Sequence, residues 1–321
     1  MKRKQRFFKL SAIVGCILLG AGMLLCGAGF VGMGCNWNAF THPRGGEPVA
    51  VSSFVEADAV DSIEIHASMG DVKIERASAA NPEEVEFVLA ENVYQVIVQH
   101  GLLLVMPQDS YTATGQGGWN WYQLLNFNSG GDWDVTIRVP EKLLDSVFVE
   151  TDMGAVDLSD VEAGSVTVTQ SLGEVTLGNC QGGSLTLEND MGGTQVFQCR
   201  FESGNLQGSY GSCDVDESSF DALAAVTDMG DIHLTRSEAA GTAVCQAAQG
   251  SVFLERFASP DITLISDMGE VSGTILGDQA DYQITVDTDL GDSTLKDQLG
   301  DGPNILQVTT NMGDIDLQFQ E

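Results

Sequence analysis

The chain has 321 residues, with 14 Lys and Arg against 46 Asp and Glu, a formal charge of −32, and 37 Gly against 7 Pro. So acidic a composition excludes nucleic-acid binding through clustered positive charge. A hydrophobic content of 43% excludes wholesale disorder and supports a packed core.

The N-terminus reads as a membrane anchor. Lys2, Arg3, Lys4, Arg6 and Lys9 form a basic tail over residues 1–9, and residues 10–34 carry no charge. As a helix rising ~1.5 Å per residue, that run crosses a ~30 Å hydrocarbon core. Basic residues before it and none just after place the N-terminus in the cytoplasm and the remainder outside, as a single-pass protein. A cleaved signal peptide and a lipoprotein, suggested by Ile13-Val14-Gly15-Cys16, are the rival readings. Against them, the apolar run exceeds the ~7 to 15 residues of a signal h-region and continues well past Cys16. Residues 35–49, with Pro43, Gly45, Gly46 and Pro48, read as a linker.

The next segment, 50–145, is expected to be a β-region that caps the repeats on its C-terminal side. Ile63, Ile65, Met69, Gly70, Val72 and Ile74 mark one strand-turn-strand, and His100-Gly101 suits a hairpin turn between two further strands. Within it, residues 107–133 hold Tyr111, Trp119, Trp121, Tyr122, Phe127 and Trp133 among Gly and polar residues. Such a loop suits a partner surface for a protein, a glycan or the membrane interface, or a lid that packs its rings over an open core.

Residues 146–321 are dominated by a repeat. A short phrase ends in Gly154, Gly173, Gly192, Gly211, Gly230, Gly250, Gly269, Gly291 and Gly313, at spacings of 19, 19, 19, 19, 20, 19, 22 and 22. Apolar residues lie five places before each Gly, mostly seven places before it as well, and often two and four places after it, as in Val147, Val149, Val156 and Leu158. Period-two alternation means strands with one buried face, turning at each Gly. The Met or Leu preceding the Gly is expected to fill that corner. One unit of ~19 residues buries too little to offset the ~1.5 kcal/mol per residue that ordering costs. The units must therefore stack, giving an all-β, single-stack β-solenoid of about nine rungs, ~4.8 Å apart. Acidic residues at its end, Asp314, Asp316 and Glu321, would discourage end-to-end stacking.

Ser68-Met69-Gly70-Asp71-Val72-Lys73-Ile74, the segment Val135 to Pro140, and Leu144-Asp145-Ser146-Val147 leading into the Gly-Asp/Glu-Val repeats together resemble the bacterial putative-adhesin, LiaG-like family of unknown function. The resemblance covers residues 50–321. It implies a membrane-anchored β-solenoid of the cell envelope and supplies no catalytic motif.

Two residues before the corner Gly, the chain reads Asp152, Ser171, Asp190, Ser209, Asp228, Ala248, Asp267, Asp289 and Asn311. Asp152, Asp190, Asp228, Asp267 and Asp289 are candidate oxygen ligands for Ca²⁺, with Glu174, Asp231, Glu270, Asp292 and Asp314 just beyond the Gly as auxiliaries. The competing explanation is electrostatic: alternation with neutral residues relieves repulsion along a ladder, and Asp beside Gly is ordinary turn chemistry. No cofactor other than Ca²⁺ is implied. Cys180 and Cys199 are one rung apart, near enough for a disulfide but with parallel Cβ vectors, and Cys213 and Cys245 occupy inward positions as small hydrophobes. His42, His66, His100 and His233 are scattered, and no HExxH, GxSxG or Walker motif occurs. The sequence therefore points to a non-enzymatic envelope module for adhesion, binding or envelope stress, with basic proteins, an envelope protein or a glycan as partner. The alternatives are a polysaccharide-active enzyme of parallel β-helix type and a Ca²⁺-binding surface protein.

Overall fold

The computed structural model describes residues 50–77, 83–108, 133–298 and 302–320. The expected membrane helix and linker, and the aromatic residues Tyr111, Trp119, Trp121, Tyr122 and Phe127, lie outside the described residues. Among the described residues no helix is long and apolar enough to cross a membrane.

The N-terminal region contributes β1 (Ala50–Glu56), β2 (Val60–Ala67), β3 (Val72–Arg76), β4 (Glu84–Ala90), β5 (Tyr94–Gln99), β6 (Gly101–Pro107) and β7 (Val135–Val139). The repeats come after these as strand pairs, one long and one short. They are β8 (Leu143–Met153) with β9 (Val156–Ser159), β10 (Glu162–Leu172) with β11 (Val175–Gly178), and β12 (Gln181–Met191) with β13 (Thr194–Phe197). Next come β14 (Arg200–Tyr210) with β15 (Cys213–Asp216), β16 (Ser219–Met229) with β17 (Ile232–Thr235), and β18 (Glu238–Gln249) with β19 (Val252–Phe257). The last are β20 (Asp261–Met268) with β21 (Val271–Leu276), then β22 (Tyr282–Leu290), β23 (Asn304–Met312) and β24 (Ile315–Gln320).

These strands form two 12-stranded sheets, the first strand of each rung in one and the second in the other. The chain is an all-β solenoid, and its repeat rungs pair in parallel and in register. Val168 of β10, for example, lies beside Val149 of β8 and Leu187 of β12. The equivalent Leu206, Ala225 and Cys245 continue the same buried file. In the rung that starts at β8, the buried side chains are Leu144, Val147, Val149, Thr151, Val156, Leu158 and Val161. The apolar ones stabilise by ~1.5 to 3 kcal/mol each, on the condition that a neighbouring rung covers them.

Stacking order departs from chain order at both ends. The rung β2–β3 lies between the rung β6–β7 and the first repeat rung, because β2 pairs with β6 and β8, and β3 with β7 and β9. At the other end, β23 is inserted between β20 and β22, so the last strands of the chain are not the last of the stack in both sheets. This corrects the expected finish. Asp314 and Asp316 flank or lie on β24, the edge of one sheet, whereas the edge of the other is β22. Residues 293–298 lie along both of these edges. Ile284 exchanges 2.9 Å backbone hydrogen bonds with Gln298, Thr294 N–H donates to Ile315 O at 2.9 Å, and Leu295 is buried beneath.

The N-terminal end is an antiparallel cap. β4 pairs with β7 and β1 with β4, and in the other sheet β5 pairs with β6 across the His100-Gly101 turn. A charged relay crosses β1, β4, β7 and β3: Ser52 to Glu86, Glu86 to Arg138 at 3.1 Å, Arg138 to Glu75 at 2.7 Å and Glu75 to Lys73 at 2.8 Å.

Candidate functional site: the Met-Gly corner

The corner glycines align in one column. At Gly192, where φ is +142°, a Cβ would lie 1.7 Å from the carbonyl oxygen of Gly173, so only a missing side chain lets adjacent rungs approach. The column runs Gly70, Gly154, Gly173, Gly192, Gly211, Gly230, Gly250, Gly269, Gly313, Gly291 in stacking order. Trp133 takes the next place beyond Gly70, its carbonyl 2.3 Å from where a Gly70 Cβ would sit. The buried Tyr94 hydroxyl donates to Trp133 O at 3.0 Å and to Met69 O at 2.9 Å, locking that end of the corner. Of the six aromatic candidates, Trp133 therefore has a packing role. Gln108 follows β6 and Trp133 precedes β7, so the described residues on either side of the aromatic segment lie at this same edge of the solenoid.

The residues before the glycines do not fill the corner, contrary to expectation. Leu172, Met191, Tyr210, Met229, Met268, Met312 and Leu290 are between 36% and 68% exposed, in a registered file that also contains Gln249. The residue three before each Gly turns inward instead and is usually polar: Thr151, Gln170, Asn189, Thr227, Ser266 and Thr310 are all buried. Apart from Thr151, whose Oγ1 has no hydrogen-bond partner, their side chains hold the corner carbonyls. Asn189 Nδ2 donates to Gly173 O and Gly193 O at 3.2 Å, and Thr227 Oγ1 to Gly230 O at 2.8 Å. A polar residue recurring at the third place was the available signal for this inward turn.

The candidate Ca²⁺ ligands Asp152, Asp190, Asp228, Asp267 and Asp289 are all exposed beside the ridge. The structure brings them into one column but never onto adjacent rungs. Spatially the column reads Ser68, Asp152, Ser171, Asp190, Ser209, Asp228, Ala248, Asp267, Asn311, Asp289, with strict alternation of neutral and acidic residues. Among the described residues no group of three or more His, Cys, Asp or Glu is placed to hold a metal ion. Beyond the Gly, acids serve the neighbouring backbone: Asp71 Oδ1 accepts from Ala155 N–H at 2.8 Å, Asp231 Oδ1 from Ser251 N–H at 2.7 Å, and Asp314 Oδ1 from Asp292 N–H at 2.8 Å.

The corner is thus an exposed apolar ridge flanked by carboxylates. Elsewhere, Cys180, Cys199, Cys213 and Cys245 are buried free thiols. A hydrogen bond with Cys199 and burial push the Cys180 thiol up, and burial pushes that of Cys245 up to about 12, which keeps both protonated.

The sequence profile of the Toastrack DUF4097 family matches residues 60–318, and the chain belongs to that family. No curated protein matches it. Among solved structures it is similar to a putative adhesin from Bacteroides fragilis NCTC 9343, at 14% identity over 84% of this chain and 97% of that one, with a TM-score of 0.40. A putative lipid binding protein from Parabacteroides distasonis ATCC 8503 is 15% identical over 85% of this chain and 97% of that one, with a TM-score of 0.46. A putative adhesin from Parabacteroides merdae ATCC 43184 is 10% identical over 85% and 96%, with a TM-score of 0.43. Likeness at this level carries no statement about what this chain does.

Proposed function

We propose that the chain is a non-enzymatic, adhesin-like binding module of LiaG-like kind. In this reading residues 10–34 anchor it in the cell membrane and the solenoid lies outside, with the Met-Gly ridge binding basic polypeptide segments that carry apolar side chains. The observation that supports this is the file of Leu172, Met191, Tyr210, Met229, Met268, Met312 and Leu290, exposed in register along one corner. An exposed apolar strip, interrupted only by Gln249, on so acidic a chain is what a partner surface requires, and flexible Met side chains adapt to varied apolar groups. The carboxylates of Asp152, Asp190, Asp228, Asp267 and Asp289, on alternate rungs and so ~9.6 Å apart, complement Lys and Arg of an extended segment. The aromatic residues Tyr111, Trp119, Trp121, Tyr122 and Phe127 belong to the partner surface in this proposal.

The test is fluorescence anisotropy of the full chain in mild detergent with a labelled alternating Lys-Leu peptide of about 12 residues, which spans ~40 Å. The expected result is salt-sensitive binding that the matching Glu-Leu peptide lacks. The triple substitution Met191→Ser, Met229→Ser and Met268→Ser should weaken it about tenfold without lowering the melting temperature. Equal binding of both peptides, or a triple variant that binds like the parent, would overturn the proposal.

A further inference from the structure

The N-terminal end of the stack differs from the C-terminal end in how its edge is finished. At the C-terminal end, residues 293–298 lie across both terminal strands. At the N-terminal end β5 is the last strand of its sheet, and among the described residues nothing pairs with its outer edge. Natural edge strands are usually blunted by charge, Pro or a bulge. β5 has none of these: residues 92–107 contain no Asp, Glu, Lys or Arg, on a chain of net charge −32.

The sequence of β5 is also its own mirror. Gln95-Val96-Ile97-Val98-Gln99 reads the same in both directions about Ile97. In an antiparallel pair of two such strands related by a two-fold axis at Ile97, Gln95 opposes Gln99, Val96 opposes Val98, and Ile97 opposes itself. Residues directly opposite share a face, and the faces agree. Val96 and Val98 pack against the core, whereas Gln95 and Gln99 are exposed.

Hydrogen-bond parity agrees as well. His100 and Gly101 have φ of 54° and 82°, the signature of a two-residue type I′ turn, which closes on a hydrogen-bonded pair at Gln99 and Leu102. Alternation along the ladder then places Ile97 with Leu104 and Gln95 with Met106 as further hydrogen-bonded pairs. The N–H and C=O groups of Val96 and Val98 consequently point away from β6, towards the open edge. In the two-fold pair, Val96 meets Val98 of the second copy, and each exchanges both of its bonds.

We propose that β5 is a self-association strand, and that two copies of this chain join antiparallel through it, extending both copies' sheets across a two-fold axis at Ile97. The occupant is a second copy because the strand is self-complementary and uncharged: two strongly acidic chains meet most easily where neither carries charge, and an isologous contact needs one patch to match itself. This goes beyond the ridge proposal and does not depend on it.

The test uses the full chain in mild detergent. Sedimentation should show a dimer at micromolar concentration. Ile97→Lys, which places like charges opposite each other on the solvent face, should weaken dimerisation at least tenfold. An equimolar mixture of Ile97→Lys with Ile97→Glu should restore it. Separately, Ile97→Cys should form an intermolecular disulfide under copper-phenanthroline, because self-opposed residues in a non-hydrogen-bonded pair have Cα atoms ~4.5 Å apart. Val244→Cys, exposed in mid-stack, should not. A parent chain that stays monomeric at about 100 μM, an Ile97→Lys chain that dimerises like the parent, or Ile97→Cys crosslinking no more than Val244→Cys would overturn the proposal. If Ile97→Lys fails to fold, the crosslinking comparison decides.

Discussion

Asn311 Nδ2 donates a 3.0 Å hydrogen bond to Asp267 Oδ1, joining residues 44 apart and setting a rung from the end of the chain beside one completed well before it. In chain order Asp267 and Asp289 are successive acids of the column; in space Asn311 separates them. The intercalated rung thereby keeps the acidic column free of adjacent charges. Two carboxylates ~4.8 Å apart repel by ~3.5 kcal/mol at an effective dielectric of 20 and by ~1 kcal/mol in water. These groups are exposed, so the aqueous figure governs. Asn311→Asp sets a carboxylate between those of Asp267 and Asp289, which makes two such contacts, and should therefore lower stability by about 2 kcal/mol at low salt. Most of the loss should vanish near ~1 M NaCl, where the screening length falls to ~3 Å. Urea midpoints at the two salt concentrations check this, and a loss independent of salt would assign Asn311 a packing role instead.

Gly192 and Gly193 are neighbours in sequence with opposite demands. At Gly192 the φ of +142° and a carbonyl 1.7 Å from the Cβ position exclude any side chain without moving the backbone of two rungs. The nearest atom to a Gly193 Cβ is Ser212 Oγ, at 3.9 Å, an ordinary van der Waals contact. Gly192→Ala should cost about 3 kcal/mol or more, and Gly193→Ala less than about 0.5 kcal/mol. Thermal melts followed by circular dichroism would distinguish them, and similar losses at both sites would refute the glycine-column account.

Much of the architecture was legible from the spacing of Gly154 to Gly313, since a 19-residue period with alternating Val and Leu leaves stacked strands as the way to bury them. The position of each rung in the stack was not. A spacing of 22 residues before Gly291 and again before Gly313 announces longer connections but carries no information on where the returning strand inserts. The outward direction of Met191 and its equivalents has a local cause. Strict alternation from Leu187 through Asn189 would bring Met191 inward, whereas Asn189 turns inward and Asp190 and Met191 both turn out before the Gly is reached. Because the inward residue is polar, a hydrophobicity pattern hides it. His100-Gly101 was readable because a two-residue turn needs positive φ at both places.

His66 lies between two carboxylates, 2.7 Å from Glu64 and 2.7 Å from Glu150, with the Phe148 ring 5.6 Å away. Burial lowers its pKa, and the hydrogen bonds and charges of Glu64 and Glu150 more than offset this, leaving it raised. A histidine whose folded pKa is raised stabilises the fold fully below its unfolded value of ~6.5 and loses that contribution as pH rises through the folded value. The difference in melting temperature between the parent and His66→Gln should therefore shrink as pH rises from about 6 to about 8. A difference independent of pH over that range would mean that the ring acts through packing on Phe148 alone.

At the opposite corner a second file runs through the interior: Cys180 N–H donates to Cys199 Sγ at 3.4 Å, Cys199 N–H to Ser218 Oγ at 3.0 Å, and Ser218 N–H to Ser237 Oγ at 3.0 Å. Ser218 Oγ donates onward to Asp216 O at 2.8 Å, so it serves two backbone groups on two rungs, the Cys199 N–H being fully buried. Cys and Ser differ in kind but occupy equivalent places, so from Cys180 to Ser237 the file holds a small side chain with one acceptor and one donor and tolerates sulfur, whereas Val161 one rung earlier carries neither. Ser218→Ala removes both bonds and should cost about 1 to 3 kcal/mol, because the Cys199 N–H is left buried without an acceptor. Ser218→Cys reproduces what the chain itself does at Cys199 and should cost about 1 kcal/mol or less. Urea unfolding of the two variants separates polarity from volume: equal losses would show that this file is held by shape, whereas a larger loss for Ala shows that the ladder of hydrogen bonds joins the rungs here.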